Sequence, residues 1–322
     1  MPEADSWRKP QTFTATDIAS ERNSLVKHIR IPRRTFLRAA AAVTAIAAVK
    51  GGAPPLLAAH SSSEILVDVN VNLSRWPLRR IRYDDTSALV AMLRSHGVSQ
   101  AWACSFDALL HKDIAAVNAR LVNECRRHGR GVLVPFGTIN PKSPGWEEEL
   151  LRCSEEYRTP GIRLHPNYHG YKLDDPAFAQ LLRLAAQRGL LVQVAALMED
   201  ERMMHPLLRV EPPDFSPLAG LVNQSPGLRL VLLNAMGKLK PQTLAALVAA
   251  GEVYVELSML EGVAAITSLL DQVPGNRVLF GSHAPLFYFQ SALFKLKESD
   301  LIAKQRRAIC FENAQHLLAK YR

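Results

Sequence analysis

Polar side chains recur at every second position in three short apolar runs of this chain, and their types limit the chemistry open to it. Asp68, Asn70 and Asn72 alternate along "VDVNVN", Arg163 and His165 along "GIRLH", and Glu256 and Ser258 along "VELS". Period-two alternation puts each set on one face of a strand, where polar groups are costly unless paired or solvated. Asn234 closes "RLVLLN", and His283 follows "LFGS". An imidazole exchanges protons near neutral pH, so His165 and His283 are the candidates for acid–base work and for activating water. Asn70 and Asn72 suit the polarising of a carbonyl or the holding of an oxyanion, which an amide does without charge. A buried Arg163 needs a carboxylate, for which Glu256 is the internal candidate, or an anionic ligand such as a substrate carboxylate.

Two loops add binding candidates. "MEDERMMHP" carries Arg202 and His205 beside Glu199 and Asp200, and "SRWPLRRIRYDD" sets Arg75, Arg79, Arg80 and Arg82 around Trp76. The second loop reads either as a rim for an anionic or sugar-like ligand or as a solvated cover. Arg163, Arg202, His205, Asn234 and Glu256 form the expected substrate-binding set.

The elements that must position these residues follow from apolar runs punctuated by Gly, Pro and Asp. Strands are expected over 65–73, 100–106, 131–139, 161–165, 190–197, 228–234, 253–259 and 277–282, with amphipathic helical stretches between them. A last helical stretch is expected over 291–320. Repeated strand–helix units of this length predict an α/β fold, a (β/α)₈ TIM barrel, whose site forms where strands end and loops begin. The rival doubly wound sheet would need a glycine-rich phosphate loop, and the sequence holds no GxGxxG or P-loop.

In order along the chain, "VDVNVNLSRWP", "GIRLHPNYHGYKLDDP", "RLVLLNAMG", "RVLFGSHAP" and "ICFENAQHLL" resemble the amidohydrolase-related family of metal-dependent hydrolases. That family also includes decarboxylases and lactonases on a TIM barrel. The resemblance implies a divalent metal held by an HxH pair on strand one, a histidine after strand five and an aspartate after strand eight, with a catalytic histidine after strand six. This chain has Asn70 and Asn72, Ala195, His283 and Asn234 at the matching positions. Amide oxygens are weak ligands for such a metal and alanine is none. The expectation is therefore no cofactor, with a divalent metal admitted only through a rebuilt site of His165, His169, His205 and His283. Hydrolysis of a small carboxylated or cyclic lactone- or amide-type substrate is the first expectation. A catalytically inactive ligand-binding barrel and a decarboxylase or other carbon–carbon lyase are the alternatives.

The chain carries a net charge of +9 over 322 residues, but residues 1–59 hold 9 Lys and Arg against 4 Asp and Glu. The remainder is only +4, which argues against a nucleic-acid partner. Within that leader, Arg33 and Arg34 precede Phe36, Leu37 and an alanine-rich run ending near Val49. The run is too short to span a bilayer, so it reads as a twin-arginine-like export signal and not a membrane anchor. Cleavage is expected after Ala59, leaving residues 60–322 as a periplasmic or extracellular barrel domain. Cys104, Cys125, Cys153 and Cys310 lack metal-ligand spacing and are expected as buried thiols.

Overall fold

The computed structural model describes residues 65–319; the expected export signal lies outside the described residues. The first strand, β1 (Leu66–Leu73), is followed by α1 (Thr86–Ser95), β2 (Val98–Ser105) and α2 (Ile114–His128). The third barrel strand is split into β3 (Leu133–Pro135) and β4 (Gly137–Thr138), and α3 (Trp146–Glu155) follows. Then come β5 (Gly161–Leu164), α4 (Pro176–Gln187), β6 (Leu191–Ala195), α5 (Leu218–Asn223), β7 (Arg229–Leu233) and α6 (Pro241–Ala250). The last units are β8 (Glu252–Glu256), α7 (Ala265–Leu270), β9 (Val278–Leu279) and α8 (Phe289–Glu298).

All the strand pairings are parallel, in the order β1-β2-β3 and β4-β5-β6-β7-β8-β9. The two runs are one sheet rolled up. The Phe136 N–H donates to the Ala103 carbonyl at 2.8 Å across the split in strand three. At the other seam, the Val69 N–H donates to Phe280 at 3.0 Å and the Asn72 N–H to Ala284 at 2.8 Å, joining the first strand to the last. Closure leaves no sheet edge exposed, which is how a barrel disposes of unpaired strand groups.

Strand alternation divides the apolar residues into two cores. Leu230, Leu232, Val192 and Val194 face outward onto the helices. Val231, Leu233, Leu191, Val67, Val69, Trp102 and Tyr254 fill the barrel interior. Trp102 and Phe136 stack inside it with centroids 5.1 Å apart. Asp85, Asp113 and Asp175 accept N-cap hydrogen bonds at the starts of α1, α2 and α4, each worth about 1 kcal/mol.

The C-terminal region departs from the expected single helix over 291–320. It breaks after α8 at Ser299, which is extended, and resumes as α9 (Ala303–Arg307), a π-helical turn over Ala308–Glu312 and α10 (Asn313–Ala319). The break lets the chain turn under the barrel, where Asn313 donates to Gly275 and Val278 and the buried Arg229 donates to the Leu317 carbonyl. Among the described residues, no helix is long and apolar enough to cross a membrane.

Gly161 opens β5 where a Cβ would lie 2.3 Å from the Leu191 carbonyl oxygen and 2.9 Å from the Leu191 Cβ. Backbone atoms of a paired strand cannot swing aside, so Gly161→Ala is expected to cost about 1–3 kcal/mol in urea unfolding. Unchanged stability would show that the β5–β6 pairing has slack it does not display.

Candidate functional site

The strand-end polar residues do converge at one end of the barrel, and they do so as a closed network. Asn70, Asn72, Arg163, His165, Asn234, Glu256 and His283 are all at most 1% exposed. Asn234 and His283 both sit at positive φ, 55° and 58°, at the ends of β7 and the last barrel strand. Such backbone persists only where its surroundings hold it. For Asn234 the holder is Glu256, whose Oε1 accepts the Asn234 N–H at 2.7 Å. Glu256 also accepts from the Ser258 N–H at 2.6 Å, and the Asn70 amide donates to Asn234 Oδ1 at 2.7 Å. Gly281 makes room for this carboxylate, since a Cβ there would lie 2.3 Å from Glu256 Oε2.

Arg163 does not pair with Glu256 as expected from the sequence. Its Nε donates to Gln193 at 2.8 Å, and one terminal nitrogen to the Val71 carbonyl at 3.1 Å, Asn72 Oδ1 at 3.0 Å and Asn70 Oδ1 at 3.4 Å. The other donates to the Val69 and Trp102 carbonyls. A guanidinium has five N–H groups, and protein acceptors engage every nitrogen that carries them. As it stands, Arg163 is a brace for β1 and has no donor left for a substrate carboxylate. Burial pulls its pKa down from the usual value, against the nearby Cys104, Asp68 and Glu256.

His283 is committed as well. Its Nε2 donates to the Met198 carbonyl at 2.8 Å, which leaves Nδ1 to accept from the Asn72 amide at 3.3 Å. Burial lowers its pKa to about 4, so the ring is neutral at physiological pH. His165 is different: its Nδ1 is buried with no hydrogen-bond partner, and its Nε2 lies 4.0 Å from Cys104 Sγ. Burial, with His169 and Arg163 adding to it, holds His165 well below the usual histidine range. His169 lies 6.0 Å from it, ring to ring, and pairs through Nε2 with Ala108.

The two loops behave unlike the strands. His205 is exposed, where its Nδ1 accepts from the Leu207 N–H, so it joins neither the network nor a shared histidine cluster. Arg202 is 79% exposed and paired with Asp200. Arg79 pairs with the buried Glu199, Arg80 with Asp84, and Arg82 lies over Tyr83, while Trp76 packs edge-on against Phe106. Arg79, Arg80 and Arg82 thus have partners within the protein, and the basic loop acts more as a cover than as a rim for a ligand.

What the strand reading missed is an open cavity of about 800 Å³ beside the network, among the loops after β6, β7 and β8 and the helix α8. Ser258 reaches it from the network, whereas Asn70, Asn72, His165 and His283 do not line it. Arg202 does, together with Lys238, Glu261, Phe287, Phe294 and Lys295. Nothing in the spacing of Glu261 or Lys295 marks them, because they reach the cavity from a loop and a helix far along the chain.

The amidohydrolase family profile matches residues 68–320. The chain belongs to the amidohydrolase family. No curated protein matches it. Among solved structures, it is similar to 2,6-dihydroxybenzoate decarboxylase from Rhizobium, at 13% identity and a TM-score of 0.60 over 80% of this chain and 98% of that one. It is also similar to a dihydroxybenzoic acid decarboxylase from Polaromonas with bound manganese and the inhibitor 2-nitroresorcinol, at 13% identity and a TM-score of 0.62, covering 80% and 98%. A third is 5-carboxyvanillate decarboxylase from Novosphingobium aromaticivorans in complex with manganese, at 14% identity and a TM-score of 0.63, covering 80% and 97%. At these identities the likeness establishes the barrel.

The manganese in two of these neighbours corrects the expectation of no cofactor: a divalent metal accompanies this barrel in structures it resembles. The strand-end residues do not fit such an ion as they stand. Asn70 and Asn72 turn their amide oxygens to the Arg163 guanidinium, whose positive charge opposes a second cation beside it. Both His283 nitrogens are engaged, and the rebuilt four-histidine site does not form. Among the described residues, no group of three or more His, Cys, Asp or Glu is arranged to hold a metal ion.

Asp68 closes the network at the barrel seam. Its Oδ1 accepts from the Asn70 and Ser282 N–H groups at 3.1 and 3.0 Å, and Oδ2 bonds the Ser282 hydroxyl. Burial raises its pKa from 3.8 to about 7, against those hydrogen bonds. Over that interval the folded protein keeps a proton that the unfolded chain has shed. The contribution of Asp68 is thus whole below 3.8 and is lost as pH rises through about 7. Asp68→Asn, isosteric and always neutral, is expected to gain stability relative to wild type as pH is raised across this window. Urea unfolding of both proteins at acid and mildly alkaline pH checks this, and a constant difference between them refutes it.

Proposed function

We propose that this amidohydrolase-family barrel is a carbon–carbon lyase that releases carbon dioxide from a small hydroxylated ring carboxylic acid. The observation that carries the reading is the cavity. It lies at the carboxyl ends of β6 to β8, where a (β/α)₈ barrel places its chemistry, and its 800 Å³ suits a substituted aromatic acid. Phe287, Phe294 and Met236 offer an apolar wall; of its cations, Arg202 and Lys238 are paired with Asp200 and Glu201, which leaves Lys295 as the cation nearest to a bound acid. That three similar folds are decarboxylases supports lyase chemistry over the hydrolysis expected from the sequence.

In this reading the closed network serves as a rigid floor. Ser258 and Glu256 hold the end of β8, and Asn234 holds the end of β7, so the loops that line the cavity leave the barrel at fixed points. A preorganised wall of this kind spends no binding energy on ordering itself.

The test is carbon dioxide release from 2,6-dihydroxybenzoate and 5-carboxyvanillate by the purified full chain in manganese-supplemented buffer. Turnover of either supports the lyase. Turnover of lactones or amides alone would instead restore the hydrolytic assignment, and tight binding of the acids without turnover would favour the inactive ligand-binding barrel.

Residues 1–59 are proposed to export the domain through a twin-arginine-type route, on the strength of Arg33 and Arg34 before the alanine-rich run. N-terminal sequencing of the protein recovered from the periplasm is expected to begin at His60. An intact Met1 on all recovered protein would overturn the signal.

A further inference from the structure

Decarboxylation needs a proton at the carbon that carbon dioxide leaves, and Lys295 brings an ammonium to the cavity wall. Lys295 projects from α8, and its Nζ donates to the carbonyl oxygens of Leu257 at 2.9 Å and of Ser258, both at the end of β8. Those two residues are buried, so the ammonium is pinned against the inner wall. An ammonium has three N–H groups, and these carbonyls use two. The third is available to the cavity that Lys295 lines.

From this geometry we infer that Lys295 is the general acid of the reaction, giving its proton to the ring carbon that bears the carboxylate. The inference rests on the lyase reading above. In the step, the Nζ–H bond breaks and a C–H bond forms at that carbon, with electron density supplied by the ring hydroxyl. The bond to the carboxylate then breaks, carbon dioxide leaves, and its electron pair restores the ring. The neutral amine regains a proton from water through the open cavity.

The surrounding charges permit this role. Glu199 is neutralised by Arg79, Asp200 by Arg202 and Glu201 by Lys238, each through a close ion pair. Glu298 on its own helix and Glu261 in the loop after β8 are exposed, and Glu256 is the buried carboxylate behind Ser258. Glu256 and Glu261 favour the ammonium, but burial outweighs them and lowers the Lys295 pKa from its usual 10.5. A lowered pKa brings the donor closer to the pH at which a general acid works best.

Two variants separate a proton donor from a simple clamp. Lys295→Arg keeps a cation that can bond the Leu257 and Ser258 carbonyls but does not release a proton near neutral pH. Lys295→Gln keeps a donor to the carbonyls without the charge. With 2,6-dihydroxybenzoate in manganese-supplemented buffer, both are expected to lose about 10²–10⁴-fold in kcat. Lys295→Arg, which keeps the cation at the cavity wall, should still bind 2-nitroresorcinol, so its loss is read in kcat and not in binding. The wild-type kcat should fall as pH rises through the Lys295 pKa, and this limb should vanish in both variants.

Wild-type kcat in Lys295→Arg, or an unchanged alkaline limb, would overturn the inference while leaving the lyase reading intact. Absence of carbon dioxide from the wild type on every acid tested would overturn both. If Lys295→Gln fails to fold, the Arg variant still decides the matter.

Discussion

The guanidinium of Arg163 is the contact on which the rest of the barrel mouth depends. The pairing of β1 with β2 is irregular, with register shifts between Leu66 and Val67 and between Asp68 and Val71. The Val69 and Val71 carbonyls accept from the Arg163 side chain in the barrel interior. A buried carbonyl without a donor costs about 1–3 kcal/mol. Arg163 bonds both, together with Trp102 and the amides of Asn70 and Asn72, with Gln193 anchoring its Nε. A permanently charged group is thereby held among neutral acceptors, an arrangement stable only because every nitrogen is engaged.

That brace has consequences across the mouth. By holding Asn70 and Asn72 it orients the amides that reach Asn234 and His283, and these in turn tie β1 to the ends of β7 and the last strand. The network is complete almost everywhere, the exception being the imidazoles of His165 and His169, whose Nδ1 atoms lack partners. Completeness closes the centre, and the open cavity lies outward, among the loops around Lys295. The same barrel that carries manganese in its structural neighbours has here placed a guanidinium among the first-strand amides.

Much of the fold was legible because burial imposes periodicity. Alternation within "RLVLL" separates the interior Val231 and Leu233 from the helix-facing Leu230 and Leu232, and the same reasoning located β1, β5 and β8. The breaks were less legible. The split of the third strand at Phe136 and the turn after α8 depend on contacts with distant segments, which local pattern does not carry. At the site, alternation marked Asn70, Asn72, Arg163, His165 and Glu256 as one-sided polar residues. It could not say that Arg163 would choose carbonyls and amides over Glu256, since that choice depends on which atoms the closed barrel brings within hydrogen-bond reach.

The sequence by itself determined the class of fold, the strands that build it and the polar side chains that meet at its mouth, because each follows from local periodicity and residue type. Only the tertiary structure decided which of those groups were already spent on one another. Hydrogen-bond partners 91 to 164 residues apart, such as Arg163 with Asn72 and Asn70 with Asn234, are set by barrel closure. Closure also placed Lys295 against the end of β8, 37 and 38 residues away in the chain, where two buried carbonyls hold it at the wall of the cavity.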